Sequence, residues 1–160
     1  MTGFDRARWL ALLLPFGLLA GAYASQYIGG LYPCEMCWWQ RWPHFAALPL
    51  ALGAFVLAGE NKRRTFTILA ALAILTSGLI GGFHAGVEYG WWEGITTCSS
   101  TVTAESGKDV LDAILDAPLI RCDIAPWTLF GISLAGFNFL LSMGGAVLVF
   151  ALLGKGRKGA

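Results

Sequence analysis

The sequence contains few charged residues. Lys, Arg, Asp and Glu make up 13% of its 160 residues, whereas ordinary soluble domains contain about a quarter. Hydrophobic residues make up 56%, which argues against a water-soluble globular domain. The net charge is +1, with no basic cluster beyond short runs. We therefore expect lipid around this chain and no nucleic-acid partner.

Long stretches without charge divide the chain. Each is long enough for one helical crossing of a bilayer core, which needs about 20 residues. No stretch alternates as barrel strands do, and open strands cannot cross lipid with unpaired backbone groups. The sequence predicts an all-α membrane protein, a bundle of four transmembrane helices in a single domain over residues 1–160. The predicted spans cover roughly residues 9–29, 42–59, 65–87 and 127–153.

Basic residues predict the orientation of these spans. Eight of the eleven Lys and Arg lie in the first, third and fifth hydrophilic segments, which the positive-inside rule assigns to the cytoplasm. Both termini are then cytoplasmic, and loops 30–42 and 88–126 face the periplasm of a bacterial inner membrane. A cleavable signal peptide ending near Ala22-Tyr23-Ala24 is the alternative for the first span. The apolar run continues to Tyr32, which favours a retained helix.

The second outer loop carries a helical pattern of its own. Val110, Leu111, Ile114 and Leu115 recur at helical spacing, with charged residues between them. This pattern predicts a short amphipathic helix over about residues 105–117, which either lies in the membrane interface or packs on the bundle.

All four cysteines fall in the two outer loops. Cys34 and Cys37 form a C-x-x-C in the first loop, and Cys98 and Cys122 lie in the second. Because the space outside a bacterial inner membrane is oxidising, these thiols can form disulfides. Haem attachment would need a His after Cys37, where Trp38 stands. A zinc ribbon would need a second close pair, but 23 residues separate the later cysteines, so we expect no metal.

The C-x-x-C is better suited to exchange than to stabilising a fold. A disulfide between Cys34 and Cys37 would close a very small loop, so it would constrain the unfolded chain little and be geometrically tight. Two purely structural disulfides remain an open alternative.

The residues around the motif favour a reactive thiolate. Pro33 is expected to begin the second helix, with Cys34 and Cys37 in its first turn, where the helix dipole stabilises a thiolate. Arg41 lies one turn after Cys37, so its guanidinium can sit beside that sulphur. An Arg at the membrane edge is costly without a partner, although snorkelling to the interface would also explain it.

A histidine lies near the outer end of the third span. His84 is either a satisfied buried side chain or a hydrogen-bond partner for a ligand in the bundle, with Glu88 four residues on to orient it. We interpret His44 as helix-start packing. The interface itself accounts for an aromatic belt, here formed by Trp38, Trp39, Trp42, Trp91, Trp92 and Trp127.

These motifs resemble those of a known family. Cys34-Glu-Met-Cys37 followed by Gln40-Arg41 is similar to the C-x-x-C-x-x-x-R motif of the disulfide-bond formation protein B (DsbB) family. The residues around Cys122-Asp123 and Pro126-Trp127 resemble the family's entry into its fourth helix. The chain departs from the family pattern at Gln40, where Glu is common, and in a somewhat shorter second loop.

The resemblance implies a quinone-dependent thiol oxidase. Reduced DsbA, a periplasmic thioredoxin-fold protein, would attack a Cys98–Cys122 disulfide and form a mixed disulfide with Cys98. Cys122 would then attack Cys34 and release Cys37. The electrons would pass from Cys37 to ubiquinone or menaquinone, which Arg41 and His84 would contact.

Two other functions stay open. A relative of vitamin K epoxide reductase would also combine a C-x-x-C with a quinone, but there the loop pair normally comes before the C-x-x-C, the reverse of the order here. A non-catalytic membrane subunit with two structural disulfides would not need Arg41.

Overall fold

The computed structural model describes residues 2–96 and 120–155, which form four helices and a small hairpin. Three helices precede the second outer loop, and the hairpin leads into the fourth. The elements are α1 (Gly3–Tyr27), α2 (Glu35–Val56), α3 (Glu60–Glu88), β1 (Thr128–Leu129), β2 (Ile132–Ser133) and α4 (Leu134–Lys155).

Local sequence signals determine where the helices begin. α1 starts with a capping box, in which Thr2 and Asp5 each bond to the other's main-chain N–H; such a box satisfies two otherwise unpaired donors. A short turn joins α2 to α3, and Gly59 there has a φ of 90°, a conformation that side chains with a Cβ rarely adopt.

Small residues let the helices approach closely. α3 packs most extensively, against α2 and α4, while α1 contacts α4 and α2. Ala7, Ala11, Ala51 and Ala70 are fully buried in the core shared by these helices. Gly78 of α3 faces α4 so closely that a Cβ would lie 3.0 Å from that of Ser142. Such small-residue interfaces are typical of membrane helices, which associate by close packing.

Large apolar side chains point away from the bundle. Leu13, Phe16, Leu79 and Leu148 are each at least half exposed, an arrangement that would be costly in water but suits lipid. α1, α3 and α4 are long and apolar enough to cross a bilayer. The prediction of a helical, multi-pass membrane protein is therefore confirmed.

The fourth crossing stays a prediction. α2 is 22 residues long, but it does not reach the hydropathy of the other three helices in the described residues, because Gln40, Arg41 and His44 lie in its first half. The amphipathic helix predicted over residues 105–117 lies outside the described residues.

A two-residue turn that the sequence did not lead us to expect precedes α4. β1 and β2 pair antiparallel around Phe130 and Gly131, whose φ values of 51° and 77° are both positive, as a type I′ turn requires. The hydroxyl of Tyr89 donates to Gly131 O and accepts from Ser133 N, both at 3.0 Å. The hairpin is thereby attached to the end of α3, beside the cysteines.

Candidate functional site

The C-x-x-C motif caps α2. We expected both cysteines inside the first turn of a helix starting at Pro33; instead the helix starts at Glu35, and Cys34 is its N-cap. Cys34 Sγ accepts a hydrogen bond from the main-chain N–H of Cys37 at 3.2 Å, the position that a Ser or Asp oxygen occupies in most caps. The two sulphurs are 2.6 Å apart.

The two thiols of this motif differ in acidity. Both cysteines precede Trp42 in the sequence, where the apolar stretch of α2 begins. A hydrogen bond from Cys34 holds the pKa of Cys37 below its ordinary value, although burial opposes this shift. The same bond, together with burial, raises the pKa of Cys34. In the reduced pair the negative charge therefore belongs on Cys37, near the positive end of the α2 dipole.

A third cysteine lies beside the motif. Cys122 is buried, and its Sγ lies within 4.8 Å of both Cys34 Sγ and the nearest ring nitrogen of His84. The Thr96 hydroxyl donates to Cys122 Sγ at 3.3 Å. The structure thus brings together three of the four predicted redox cysteines, while Cys98 lies outside the described residues.

His84 lies against the sulphurs. The side chain is 3% exposed, and its Nε2 is 3.6 Å from Cys34 Sγ. Glu88 Oε1 lies 3.8 Å from the same nitrogen, on the next turn of α3. The ring therefore contacts the Cys34 sulphur as well as the interior of the bundle, where we had expected a ligand contact.

Arg41 is buried between α1 and α2. Its guanidinium donates to Gln26 Oε1 at 2.6 Å and to the main-chain oxygen of Ala22 at 3.2 Å. The ring centres of Tyr23 and Trp38 lie 4.9 and 5.0 Å from its central carbon. Because two acceptors and two aromatic faces surround the charge, Arg41 is held in place rather than extended to the interface.

Two cavities meet at the cysteines. The outer one, of about 250 Å³, opens beside Cys34 and residues 30–32. The inner one, of about 350 Å³, extends between α1 and α4 as far as Arg41, His44 and Asn138. Cys37 and His84 line both cavities. The C-x-x-C therefore lies where an outward-facing space and a bundle-facing space join.

A chain of buried polar side chains lies below His84. Gln40 contacts His84 Nδ1 at 2.8 Å and Asn138 at 2.9 Å. Asn138 also reaches the Ser77 main-chain oxygen and His44 Nε2, at 3.1 and 3.0 Å. We had interpreted His44 as packing and Gln40 only as a departure from the family pattern. The available signal was the presence of polar residues within apolar spans, which is costly without partners.

The two buried cysteines and His84 could also ligate a metal ion. Cys34, His84 and Cys122 place their ligand atoms within 4.8 Å of one another, and two thiolates with an imidazole form a common zinc set. A metal could bind here only if the His84 nitrogen that faces the sulphurs carries no proton. The contact of Gln40 with the other ring nitrogen determines where that proton lies.

Comparison with known proteins agrees with this geometry. The sequence profile of the family described as "Disulfide bond formation protein DsbB" matches residues 5–152. The chain is 30% identical to disulfide bond formation protein B of Verminephrobacter eiseniae, over 89% of this chain and 82% of the relative. It is 29% identical to the protein of that name from Polaromonas, over 95% and 96% of the two chains. An uncharacterized protein of Rickettsia prowazekii is 27% identical over 82% of this chain and 76% of its own.

No solved structure matches the chain. The family match extends over nearly the whole sequence and includes every cysteine, Arg41 and His84. From its sequence and from the clustering of its cysteines, the chain belongs to the DsbB family of disulfide bond formation proteins.

Proposed function

We propose that this protein is a quinone-dependent thiol oxidase of the bacterial inner membrane. It would reoxidise a DsbA-like periplasmic protein through two cysteine pairs and pass the electrons to membrane quinone. The observation that carries this proposal is the position of Cys122, whose sulphur lies within 4.8 Å of Cys34 Sγ in a buried cluster.

The first step takes place at the second outer loop. A thiolate of the reduced partner attacks Cys98 in a Cys98–Cys122 disulfide, which forms a mixed disulfide and releases Cys122 as a thiolate. The partner's second thiolate then attacks the mixed disulfide, so that the partner leaves oxidised and Cys98 leaves as a thiolate. The two electrons of the partner now reside on the Cys98 and Cys122 sulphurs.

The second step transfers these electrons to the C-x-x-C. The Cys122 thiolate attacks Cys34 Sγ of a Cys34–Cys37 disulfide; the Cys34–Cys122 bond forms and Cys37 leaves as a thiolate. The Cys98 thiolate then attacks Cys122, which restores the loop disulfide and releases Cys34. The charge of Arg41 and the positive end of the α2 dipole stabilise Cys37 as it leaves as a thiolate, and a stabilised thiolate is the better leaving group.

The inner cavity fits a quinone ring. Its volume of about 350 Å³ lies in the usual range for small-molecule sites. Gly17 and Gly21 of α1 line it, and a Cβ at either position would meet nothing within 4 Å, so α1 leaves room for a flat ligand. Arg41 supplies N–H groups for a carbonyl oxygen, and His84 lines the same cavity.

The cavity residues bind and orient this acceptor. A bound quinone supplies a two-electron, two-proton sink. Arg41, held by Gln26 and Ala22, offers a fixed positive charge at one end of the cavity. Cys37 lines the same cavity, so its thiolate faces the acceptor, and the apolar residues of α1 and α4 exclude water.

The topology that this function requires has four crossings. We propose that α2 crosses together with the three more apolar helices, that both termini are cytoplasmic and that the cysteines face the periplasm. The distribution of Lys and Arg supports this orientation. A cysteine-reactive reagent that cannot cross the membrane tests this topology in intact spheroplasts. In Cys122→Ser, where Cys98 has lost its proposed disulfide partner, the Cys98 thiol is expected to react from outside.

Trapping of the exchange bond tests the relay itself. A double variant, Cys37→Ser with Cys98→Ser, retains only Cys34 and Cys122. Under mild oxidation it is expected to form the Cys34–Cys122 disulfide within one chain, detected by mass spectrometry of the linked peptides. If the two thiols remain free while a small dithiol in the same sample is oxidised, Cys122 is not the donor to Cys34.

A further inference from the structure

We propose that Gln40 is a positioning residue that fixes the His84 proton on Nε2, so that His84 donates a hydrogen bond to the Cys34 sulphur during disulfide exchange. This inference rests on the proposed function and assigns His84 a role at the sulphurs, in addition to any contact with a ligand in the inner cavity.

The orientation of the Gln40 amide is fixed from both sides. Its Nε2 donates to the main-chain oxygen of Met36 at 3.2 Å, and a carbonyl oxygen can only accept. Its Oε1 accepts from Asn138 Nδ2 at 2.9 Å. Asn138 is oriented in turn, because its Nδ2 also donates to Ser77 O at 3.1 Å and its Oδ1 accepts from the Ser142 hydroxyl at 3.0 Å.

This orientation determines the tautomer of His84. Gln40 Nε2 lies 2.8 Å from His84 Nδ1. An amide nitrogen only donates, so Nδ1 must offer its lone pair, and a neutral imidazole then carries its proton on Nε2. That nitrogen is 3.6 Å from Cys34 Sγ, within the reach of a hydrogen bond to sulphur.

The same tautomer makes the cluster a poor metal site. A metal at Cys34, His84 and Cys122 would need the lone pair of Nε2, and histidine ligands usually donate their other N–H to an acceptor. Gln40 presents a donor to Nδ1 instead, which is the opposite arrangement. The three residues are therefore arranged for sulphur chemistry assisted by an N–H group.

The Nε2–H group lies beside the central atom of the exchange. When the Cys122 thiolate attacks Cys34 Sγ, negative charge spreads over the Cys122, Cys34 and Cys37 sulphurs until Cys37 leaves as a thiolate. When Cys98 later attacks Cys122, Cys34 is the leaving thiolate, and the Nε2–H group stabilises it directly. The proton remains on Nε2 throughout, so the balance of the exchange does not change.

Nitrogen NMR of the full chain in detergent micelles tests the tautomer. The chain has two histidines, so ¹⁵N-labelled histidine gives a simple spectrum. His44 is an internal reference, because its Nε2 donates to Asn138 Oδ1 at 3.0 Å. Wild-type His84 is expected to carry its proton on Nε2 alone. In Gln40→Glu the carboxylate offers no N–H group, so Nδ1 of His84 should become protonated while His44 stays unchanged.

A rate measurement tests the consequence. In a Cys98→Ala background, Cys122 is a free thiol and its attack on Cys34 is followed by alkylation of the released Cys37. Gln40→Leu is expected to slow this step about tenfold, as loss of one hydrogen bond to a charged group implies. Thr76→Ala is the matched control and should leave the rate unchanged, because it removes an exposed hydroxyl that donates to Leu72 O of its own helix.

The outcomes separate this inference from the proposed function. The spectrum requires neither quinone nor partner, so it reports on Gln40 even if the relay fails. A wild-type His84 with its proton on Nδ1 overturns the inference. So does an unchanged exchange rate in Gln40→Leu, which would make the tautomer a structural detail only.

Discussion

Replacement of Arg41 by Lys should impair the use of quinone more than the reaction with the protein partner. The Arg41 guanidinium holds two acceptors at once, Gln26 Oε1 at 2.6 Å and Ala22 O at 3.2 Å, between two aromatic rings. A lysine ammonium lacks the planar fork and can satisfy both acceptors only with poor geometry. The charge would be retained but displaced from the inner cavity.

The magnitude follows from the hydrogen bonds that a lysine cannot make. One hydrogen bond to a charged group contributes about 1.5–3 kcal/mol, and tenfold in a constant corresponds to about 1.4 kcal/mol. We therefore expect Arg41→Lys to raise the KM for quinone by roughly tenfold to a hundredfold. Gln26→Leu removes only the 2.6 Å hydrogen bond and keeps the guanidinium, so its effect should be smaller.

Steady-state assays that vary one substrate at a time measure this difference. Quinone reduction is followed by ultraviolet absorbance while either quinone or reduced DsbA is varied, with circular dichroism as the check on folding. The KM for DsbA should change less than twofold, because Cys98 is the proposed site of attack by the partner. Equal losses for both substrates, or normal kinetics in Arg41→Lys, would refute the assignment of Arg41 to the quinone side.

Two further predictions concern the thiols and the buried polar chain. The pKa of Cys37 is lowered and that of Cys34 is raised. In reduced protein below pH about 8.5, the usual thiol pKa, iodoacetamide should therefore alkylate Cys37 first. Peptide mass spectrometry that finds Cys34 modified first would contradict this order. Asn138→Leu removes interhelical hydrogen bonds to Gln40, His44 and Ser77, each worth about 0.6 kcal/mol in membranes, so denaturant unfolding in detergent should show a loss of about 2 kcal/mol. A loss no larger than that of a single hydrogen bond would mean that these interactions contribute little.

The membrane character of the fold was predictable from single residues and their neighbours. Scarce charge and long apolar stretches are local properties, so they indicated spanning helices without knowledge of packing. The proximity of the C-x-x-C to Arg41 was predictable for the same reason, since Cys34, Cys37 and Arg41 are close along the chain at the start of one helix.

Relations between helices were not predictable in this way. Gln40, His84 and Asn138 meet because α2, α3 and α4 cross at one level, and a close approach at Gly81 permits it: a Cβ there would lie 2.9 Å from Asn138 Nδ2. The spacing of these residues along the chain does not indicate that they lie at the same depth in the bundle. The position of Cys34 as a cap depends on a shift of two residues in the helix start, from Pro33 to Glu35, a difference to which sequence patterns are insensitive.

The most direct test of the oxidase function is catalytic turnover by the purified protein in detergent, supplied with reduced DsbA and either ubiquinone or menaquinone. We predict quinone reduction with one disulfide formed in DsbA for each quinone reduced, and its loss in Cys37→Ala. Folded protein that reduces neither quinone, with all four cysteines remaining oxidised in the presence of reduced DsbA, would contradict the oxidase function and favour two structural disulfides.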